Sequence, residues 1–343
     1  MLAHVRLRTL LLLILAVLGI WGVVFAQKPF KQYPGGQDGD VPLPPDFDKP
    51  AEWSGARLRY RDLGGRFGGR RGFRREGAWG TDYPLGGRHL AEGLRRLTKV
   101  NARSVEQVVE LDGTDDIFNW PFLYAVEVGQ WTLDEKEGAQ LRDFLNRGGF
   151  LMVDDFHGIQ QWENFADGMR QAFPDKEIID LDQSEAIFGI LNQVDLKVQV
   201  PGMQYIRSGR TYEQESDPYP RWRAIKDNKG RVLVAICHNM DLGDAWEYSD
   251  DPRYPAEFAI IAHRVLQNLY PIFRRSRRQH ERRSDCSKTA PHGQELFFFI
   301  CFGEGLDLRQ LGETRMGRFI IFRHSQDRVK IHDALFQPIA IAG

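Results

Sequence analysis

Short apolar runs that end abruptly in polar residues constrain the fold of this 343-residue chain more than any other feature. They lie at residues 122–126, 150–153 and 232–236, and a shorter predicted strand at 108–111 contains one charged residue, Glu110. A strand that is apolar along its whole length must be covered on both faces, as strands of parallel sheets are. Segments with apolar residues at helical spacing separate the runs, for example Leu90, Leu94 and Leu97. The alternation predicts an α/β fold, a three-layer sandwich with a mainly parallel sheet and helices on both faces.

Local signals also predict where two of the helices begin and end. Thr132 and Glu135 have the spacing of a capping box, which predicts a helix whose N-cap is Thr132. Gly148 and Gly149 should end that helix. Prolines at 255 and 271 fit the first turn and the position just beyond the last turn of the final helix.

The N-terminal residues, 1–26, have the pattern of a targeting segment. Basic residues precede an apolar run at 10–25, and a small-residue cleavage site comes before Gln27. The run is short for a membrane-spanning helix, which needs about 20 residues. The segment is therefore a signal peptide or an N-terminal anchor. Both alternatives predict an exported protein, periplasmic or on the outer face of the cytoplasmic membrane.

Three further segments follow. Residues 27–55 are rich in proline and glycine without an apolar period, which predicts an extended linker. Residues 56–273 carry the strand and helix patterns and form the predicted α/β domain. Residues 274–343 begin with an Arg-rich stretch, lack a clean helical period, and are interpreted as an extension of unpredicted structure.

Charge and cysteine content narrow the function classes. The formal net charge is −1, so no overall field recruits nucleic acid or an anionic membrane, and the only expected membrane contact is through an uncleaved N-terminal segment. Three cysteines are too few and too scattered for a disulfide scaffold. Cys237 lies in an apolar run, which predicts a small buried hydrophobic residue.

Polar residues follow the predicted strands at the points where they end. Because the carboxyl ends of parallel strands meet at one edge of a sheet, these residues should line a common pocket. The two richest groups follow the runs at 150–153 and 232–236. Together they give the candidate pocket Asp154, Asp155, His157, His238, Asn239, Asp241, Asp244, Trp246 and Glu247.

Three interpretations of this pocket are open. It could hold a divalent metal, for which Asp154, Asp155, His157 and His238 are acceptable ligands, although no zinc-type spacing is present. It could be a hydrolase site, although the sequence has no Gly-x-Ser-x-Gly elbow. Alternatively, Asp154 or Asp155 caps the helix that starts near Gln160, with His157 as a turn residue. No organic cofactor is expected.

Several stretches resemble the domain-of-unknown-function family 4159. They are ARLRY, WGTDYPLGGRHLAEGLRRL, the run that ends in GGFLMVDDFHG, HNMDLGDAWE, and the helix after PAEFAII. The resemblance covers about residues 56–273 and does not extend to the Arg-rich extension. That family is similar to the class I glutamine amidotransferase-like fold, a flavodoxin-like α/β sandwich, and it occurs in bacterial envelope proteins without an established activity.

The resemblance also implies what the pocket lacks. In active amidotransferases the strand after the Gly-Gly turn leads to a nucleophilic cysteine at a strained elbow. Here Asp154 and Asp155 stand at that place, and a carboxylate lacks the nucleophilicity of a thiolate. The sequence therefore predicts an exported, non-catalytic domain that binds a ligand or an envelope protein partner. A metal-assisted hydrolase using the turn at Asp154, Asp155 and His157 and a structural spacer are the alternatives.

Overall fold

A computed structural model describes residues 30–33, 41–63 and 77–288, with side chains described as far as Ile272. The predicted signal peptide or anchor lies outside the described residues, as does the extension beyond Lys288. The strands are β1 (Gly55–Arg59), β2 (Arg61–Asp62), β3 (Gln107–Glu110), β4 (Phe122–Val126), β5 (Trp131–Thr132), β6 (Phe150–Asp154), β7 (Ile179–Asp180), β8 (Arg221–Lys226) and β9 (Val232–His238). The α-helices are α1 (Leu85–Leu97), α2 (Glu135–Asn146), α3 (Gly158–Ala172), α4 (Tyr205–Ser208), α5 (Leu242–Glu247) and α6 (Ala256–Lys288).

Seven of these strands form one sheet in the order β3-β1-β4-β6-β9-β8-β7. The first five in that order are parallel to one another. β8 runs antiparallel to β9, and β7 antiparallel to β8. Taken in chain order, the five parallel strands have the arrangement 2-1-3-4-5 of flavodoxin-like sheets. The predicted mainly parallel, flavodoxin-like sheet is confirmed. β2 and β5 form a separate antiparallel pair.

Each face of the large sheet is covered by helices. Along β6, Phe150 and Met152 belong to a core that also contains buried residues of α1, α5 and α6. Leu151 and Val153, which point the other way, belong to a second core built with α2 and α3. Successive strand residues point to opposite faces, so a strand between two helical layers must be apolar throughout. The predicted three-layer sandwich is confirmed.

The capping box of α2 lies two residues later than its predicted position. Asp134 is the N-cap, and its carboxylate accepts hydrogen bonds from the N–H groups of Lys136 and Glu137, each at 2.9 Å. Glu137 closes the box by accepting from Asp134 N at 2.8 Å. Thr132 lies in β5, paired with Arg61 of β2, and the helix begins only at Glu135, directly after Asp134.

The prediction that the final helix ends before Pro271 is wrong, because α6 continues through this proline to Lys288. Proline removes one hydrogen bond and crowds the preceding turn, which kinks or weakens a helix without always ending it. Leu266 and Leu269 anchor the turn before it in the core. The helix therefore enters the Arg-rich stretch that was assigned to the extension.

Part of the Pro-rich segment is packed against the domain. Arg88 of α1 donates to the carbonyl of Pro42 at 2.7 Å, and Arg103 Nε donates to the carbonyl of Phe47 at 3.2 Å. Trp53 is buried in the core beside α1. No helix among the described residues combines the length and the apolar character needed to cross a membrane.

Candidate functional site

The turns after β6 and β9 are joined by reciprocal backbone hydrogen bonds. Asp155 N donates to the carbonyl of Met240, and Asn239 N donates to the carbonyl of Phe156, both at 2.9 Å. Asp155 and Asn239 are both left-handed, with φ of +53° and +63°. Aspartate and asparagine tolerate this conformation better than other residues with side chains. The two predicted groups of pocket residues are therefore neighbours.

The end of β6 caps α5, the helix that follows β9. The turn after β9 in return caps α3, the helix that follows β6. Asp154 Oδ2 accepts hydrogen bonds from Leu242 N at 2.6 Å and Gly243 N at 3.2 Å, at the start of α5. Asn239 Oδ1 accepts from Gly158 N at 2.8 Å, at the start of α3. Asp154 thus caps a helix, as one interpretation predicted, but not the helix near Gln160. The reason is that β6 and β9 are adjacent, so the side chain reaches across to the neighbouring connection.

Three carboxylates converge beside this pair of turns. Asp82 precedes α1, Asp241 is the N-cap of α5, and Asp244 lies in its first turn. One oxygen from each lies within 4.8 Å of the others. Asp241 Oδ1 accepts from Asp244 N at 2.8 Å, and Asp244 Oδ2 accepts from Met203 N at 2.6 Å. Asp82 is fully buried, and within residues 30–33, 41–63 and 77–272 no N–H group or hydroxyl donates a hydrogen bond to its oxygens.

The surroundings of the three carboxylates favour their uncharged forms. Burial, reinforced by the charge of Asp244, raises the pKa of Asp82 well above its ordinary value, while Arg57 opposes the shift. Burial and the charges of Asp155 and Asp244 raise the pKa of Asp241 in the same way. Burial also raises the pKa of Asp244. Such a group can keep its negative charges only if a cation neutralises them.

Asp154 and Arg57 lie below the three carboxylates. Burial raises the pKa of Asp154 to about 7, against the opposing effects of the Tyr124 hydroxyl, the N–H groups of α5 and Arg57. Arg57 is fully buried, forms a 3.0 Å ion pair with Glu106, and lies 4.6 Å from the centre of the Tyr124 ring. Its positive charge is therefore shared with Glu106 and offsets the charges of the neighbouring carboxylates only in part.

A second group lies at the solvent side of the pocket. His157 Nε2 is 3.1 Å from Asp155 Oδ1 and 3.9 Å from Glu213 Oε1. The side chains of Asp155 and His157 are buried, whereas that of Glu213 is 35% exposed. Burial and the charges of Glu127 and Glu213 raise the pKa of Asp155. One imidazole nitrogen and two carboxylates form a mixed donor set that a transition metal accepts.

His238 belongs to neither group. Its Nε2 lies 3.1 Å from the Gly158 carbonyl oxygen, its Nδ1 lies 3.3 Å from an Arg223 nitrogen, and its ring packs on Phe156 and Trp162. Burial lowers the pKa of His238 to about 3, so the ring is neutral at physiological pH. Both ring nitrogens are occupied, which makes this candidate a packing residue.

The other sequence candidates lie around the carboxylates. Trp246 is fully buried and packs edge-on against Tyr124 at 5.5 Å, and Glu247 is buried in the same helix. Cys237 is buried within β9, where burial raises the pKa of its thiol, and its prediction as a small buried hydrophobic residue is confirmed.

Asp82 and Glu213 were not among the residues predicted from the sequence. Asp82 lies in the connection after β1, which also leads to the carboxyl edge, but a stretch of sequence rich in Gly and Arg separates it from that strand. The position of Asp82 just before an apolar-periodic helix was the available signal. Glu213 lies in an irregular loop, and no sequence pattern distinguishes it from other exposed glutamates.

Comparison with known proteins identifies the family. No curated protein matches the chain. The family model described as "Domain of unknown function (DUF4159)" matches residues 56–270, which include all of the parallel strands except the first residue of β1. Since this match covers more than half of the sequence, the chain belongs to the DUF4159 family.

Proposed function

We propose that this domain binds a cationic ligand at the carboxyl edge of its sheet and does not act as an enzyme there. The observation that carries the proposal is the concentration of buried acidic side chains at this edge. Asp82, Asp155 and Asp241 are buried, and burial and mutual repulsion raise their pKa values. The buried arginine beside them is already paired with Glu106. A bound cation would remove the repulsion, so such a pocket selects positively charged ligands.

The turn after β6 supports a non-catalytic role. We infer that the domain is related to the class I amidotransferase-like fold, with Asp155 in the place of the nucleophilic cysteine. The left-handed conformation of Asp155 between a strand and a helix fits the strained elbow expected there. A carboxylate at that position lacks the reactivity of a thiolate toward amides, and Cys237 is buried inside β9. Glutamine hydrolysis by the cysteine route is therefore not expected.

The sequence of residues 1–26 supports an exported location, periplasmic or at the outer face of the cytoplasmic membrane. In that setting the ligand could be a free cation or a basic segment of an envelope protein. A structural spacer without any ligand is the alternative, and it predicts that changes at the acidic edge affect stability alone.

Binding to purified, chelator-treated full-length protein tests the proposal. Calorimetric titration and thermal unfolding would be followed with divalent metal chlorides, with spermidine, and with sodium phosphate as an anionic control. We expect at least one cation class to bind and phosphate to have no effect. Asp82→Asn should weaken that binding, whereas Asp143→Asn, on the exposed side of α2, should not. If no cation of any class binds or stabilises folded protein, the proposal fails.

Metal-assisted hydrolysis is a second candidate function, favoured by the group Asp155, His157 and Glu213. A zinc ion held there would lower the pKa of a bound water and supply a nucleophile. Assays of ester and phosphoester hydrolysis with and without added Zn²⁺, in wild type and in His157→Gln, test this candidate. Zn²⁺-dependent turnover that His157→Gln abolishes would establish it and overturn the non-catalytic proposal. Absence of turnover in the zinc-loaded protein would reject it.

A further inference from the structure

We propose that Asp82, Asp241 and Asp244 form a binding site for one hard divalent cation, Mg²⁺, Ca²⁺ or Mn²⁺, an inference that rests on the proposed cation binding and specifies the ligand. The three carboxylates come from two separate connections of the sheet, and their oxygens lie within 4.8 Å of one another. All three ligands are oxygens, the donor type that Mg²⁺, Ca²⁺ and Mn²⁺ prefer over nitrogen or sulfur. The group of Asp155, His157 and Glu213 differs because one of its three ligands is an imidazole nitrogen.

The first independent support is an unsatisfied buried side chain. Asp82 has no exposed surface, and among the described residues no N–H group or hydroxyl donates a hydrogen bond to its oxygens. Buried polar groups in folded proteins nearly always have a partner, so an exception calls for an unseen ion or water. The side chains of Asp244 and Glu247 contact Asp82, but these carboxyls can donate a hydrogen bond to it only when protonated, and they supply no positive charge. A divalent cation would satisfy the carboxylate and offset its neighbours.

The second support is the convergence of oxygens around Gly202. A Cβ atom added to Gly202 would lie 2.3 Å from Asp241 Oδ2, 2.7 Å from Asp244 Oδ2 and 2.7 Å from Gln204 Oε1. Three oxygens therefore crowd one side of this glycine. Both polar atoms of the Gln204 side-chain amide are buried, and neither has a hydrogen-bond partner in the part of the chain that the structure describes. Its carbonyl oxygen is a neutral fourth ligand of the hard type.

The backbone at Gly243 lies against the third carboxylate of the group. A Cβ atom there would lie 2.0 Å from Asp82 Oδ2 and 2.8 Å from Tyr124 Oη. Glycine at this position lets Asp82 approach the start of α5, where its two partner carboxylates lie. Three carboxylates and one amide oxygen leave coordination positions for water, as Mg²⁺ and Ca²⁺ sites commonly do.

Titration of chelator-treated full-length protein tests the site. Mg²⁺, Ca²⁺, Mn²⁺, Zn²⁺ and spermidine would each be added, with binding followed by calorimetry, by thermal unfolding and, for Mn²⁺, by loss of the free-ion electron paramagnetic resonance signal. We expect one Mg²⁺, Ca²⁺ or Mn²⁺ per chain. At 100 times its Kd, that ion should raise the Tm by roughly 5 to 10 °C.

Two variants locate the ion. Asp82→Asn removes one ligand charge, and Gly202→Ala places a methyl group against three oxygens without changing charge. Each should weaken binding at least tenfold. The matched controls are Asp143→Asn, an exposed carboxylate of α2, and Gly189→Ala, whose added methyl group would come no closer than 3.3 Å to Gln193. Both controls should bind like wild type.

Several results would overturn the inference. Binding that Asp82→Asn and Gly202→Ala leave unchanged but His157→Gln abolishes would place the ion at the other group. Spermidine binding without metal binding would refute the metal site and leave the proposed function standing. Absence of binding by every cation would refute both. If Asp82→Asn fails to fold, Gly202→Ala and the Mn²⁺ signal of the wild type decide the question.

Discussion

Replacing Asp154 by Asn should stabilise the metal-free protein at pH 8 and change its stability little near pH 4. Asn keeps the side-chain oxygen that accepts hydrogen bonds from Leu242 N and Gly243 N, and it has nearly the same size. What it removes is an ionisable carboxyl that is fully buried. The variant therefore isolates the free-energy cost of charging this side chain in the folded state.

The magnitude follows from the difference between the folded and unfolded pKa. Burial raises the pKa of Asp154 to about 7, from 3.8 for an unperturbed side chain. Because the folded pKa is the higher one, the folded state holds the proton more tightly. The resulting stabilisation is fully present below pH 4 and is lost as the pH rises toward 7. The loss amounts to about 4 kcal/mol of unfolding free energy.

Urea unfolding at half-unit intervals from pH 4 to pH 8, after metal removal, would measure this difference. The stability of Asp154→Asn relative to wild type should rise by about 4 kcal/mol across that range. Asp143→Asn, in an exposed ion pair with Arg147, should differ from wild type by less than about 1 kcal/mol at every pH. A difference between Asp154→Asn and wild type that is independent of pH would refute the argument, because the carboxyl would then be charged at no cost.

Three further predictions concern the hydrogen-bonded turns after β6 and β9, the long helix α6 and the buried thiol of Cys237. Asn239→Ala should reduce the unfolding free energy by about 2 to 3 kcal/mol in urea, because it removes the cap of α3 and forces alanine to a φ of +63°. Asn239→Gly should recover about 1 kcal/mol of this loss, because glycine adopts that φ without strain. Equal unfolding free energies for the two variants would exclude the backbone contribution. Pro271→Ala should raise the unfolding free energy by about 1 to 3 kcal/mol, because a proline inside α6 removes a backbone hydrogen bond and crowds the preceding turn. A loss of stability in this variant would show that the helix does not continue through position 271. Cys237→Ala should leave the rate of thiol labelling of the native protein unchanged, because burial raises the pKa of the Cys237 thiol and shields it from the reagent. Slower labelling of the variant than of wild type would mean that Cys237 is reactive in the folded chain.

Much of the fold could be predicted from local patterns. Phe150 to Val153 are apolar at every position, and the structure places alternate members of this run in two different cores. Such a run predicts burial on both faces because side chains alternate along a strand. The start of α2 was predicted two residues too early, since Thr132 and Asp134 both have a Glu three residues on. In the structure Asp134 directly precedes the first helical residue, whereas Thr132 lies in β5.

The candidate site could be predicted only in part. Strand ends identified Asp155, His157, Asp241 and Asp244, because the carboxyl ends of parallel strands share an edge. Four residues required the structure: Asp82 and Glu213, which lie outside the strand-end groups, His238, which is turned into a packing role, and Gln204, whose amide is buried beside Asp241 and Asp244.

The sequence by itself determined the five parallel strands, most of the long helices and the acidic character of one edge. These properties depend on the period of apolar residues and on the residue types at strand ends, and both are local. Only the tertiary structure decided which carboxylates face one another and which helix each turn caps. Asp154 caps α5 because β6 pairs with β9, and Asp82 meets Asp241 and Asp244 because α1 packs beside α5. Those neighbours are separated by about 80 to 160 residues, and their proximity is fixed by strand pairing and by the burial of two separate cores.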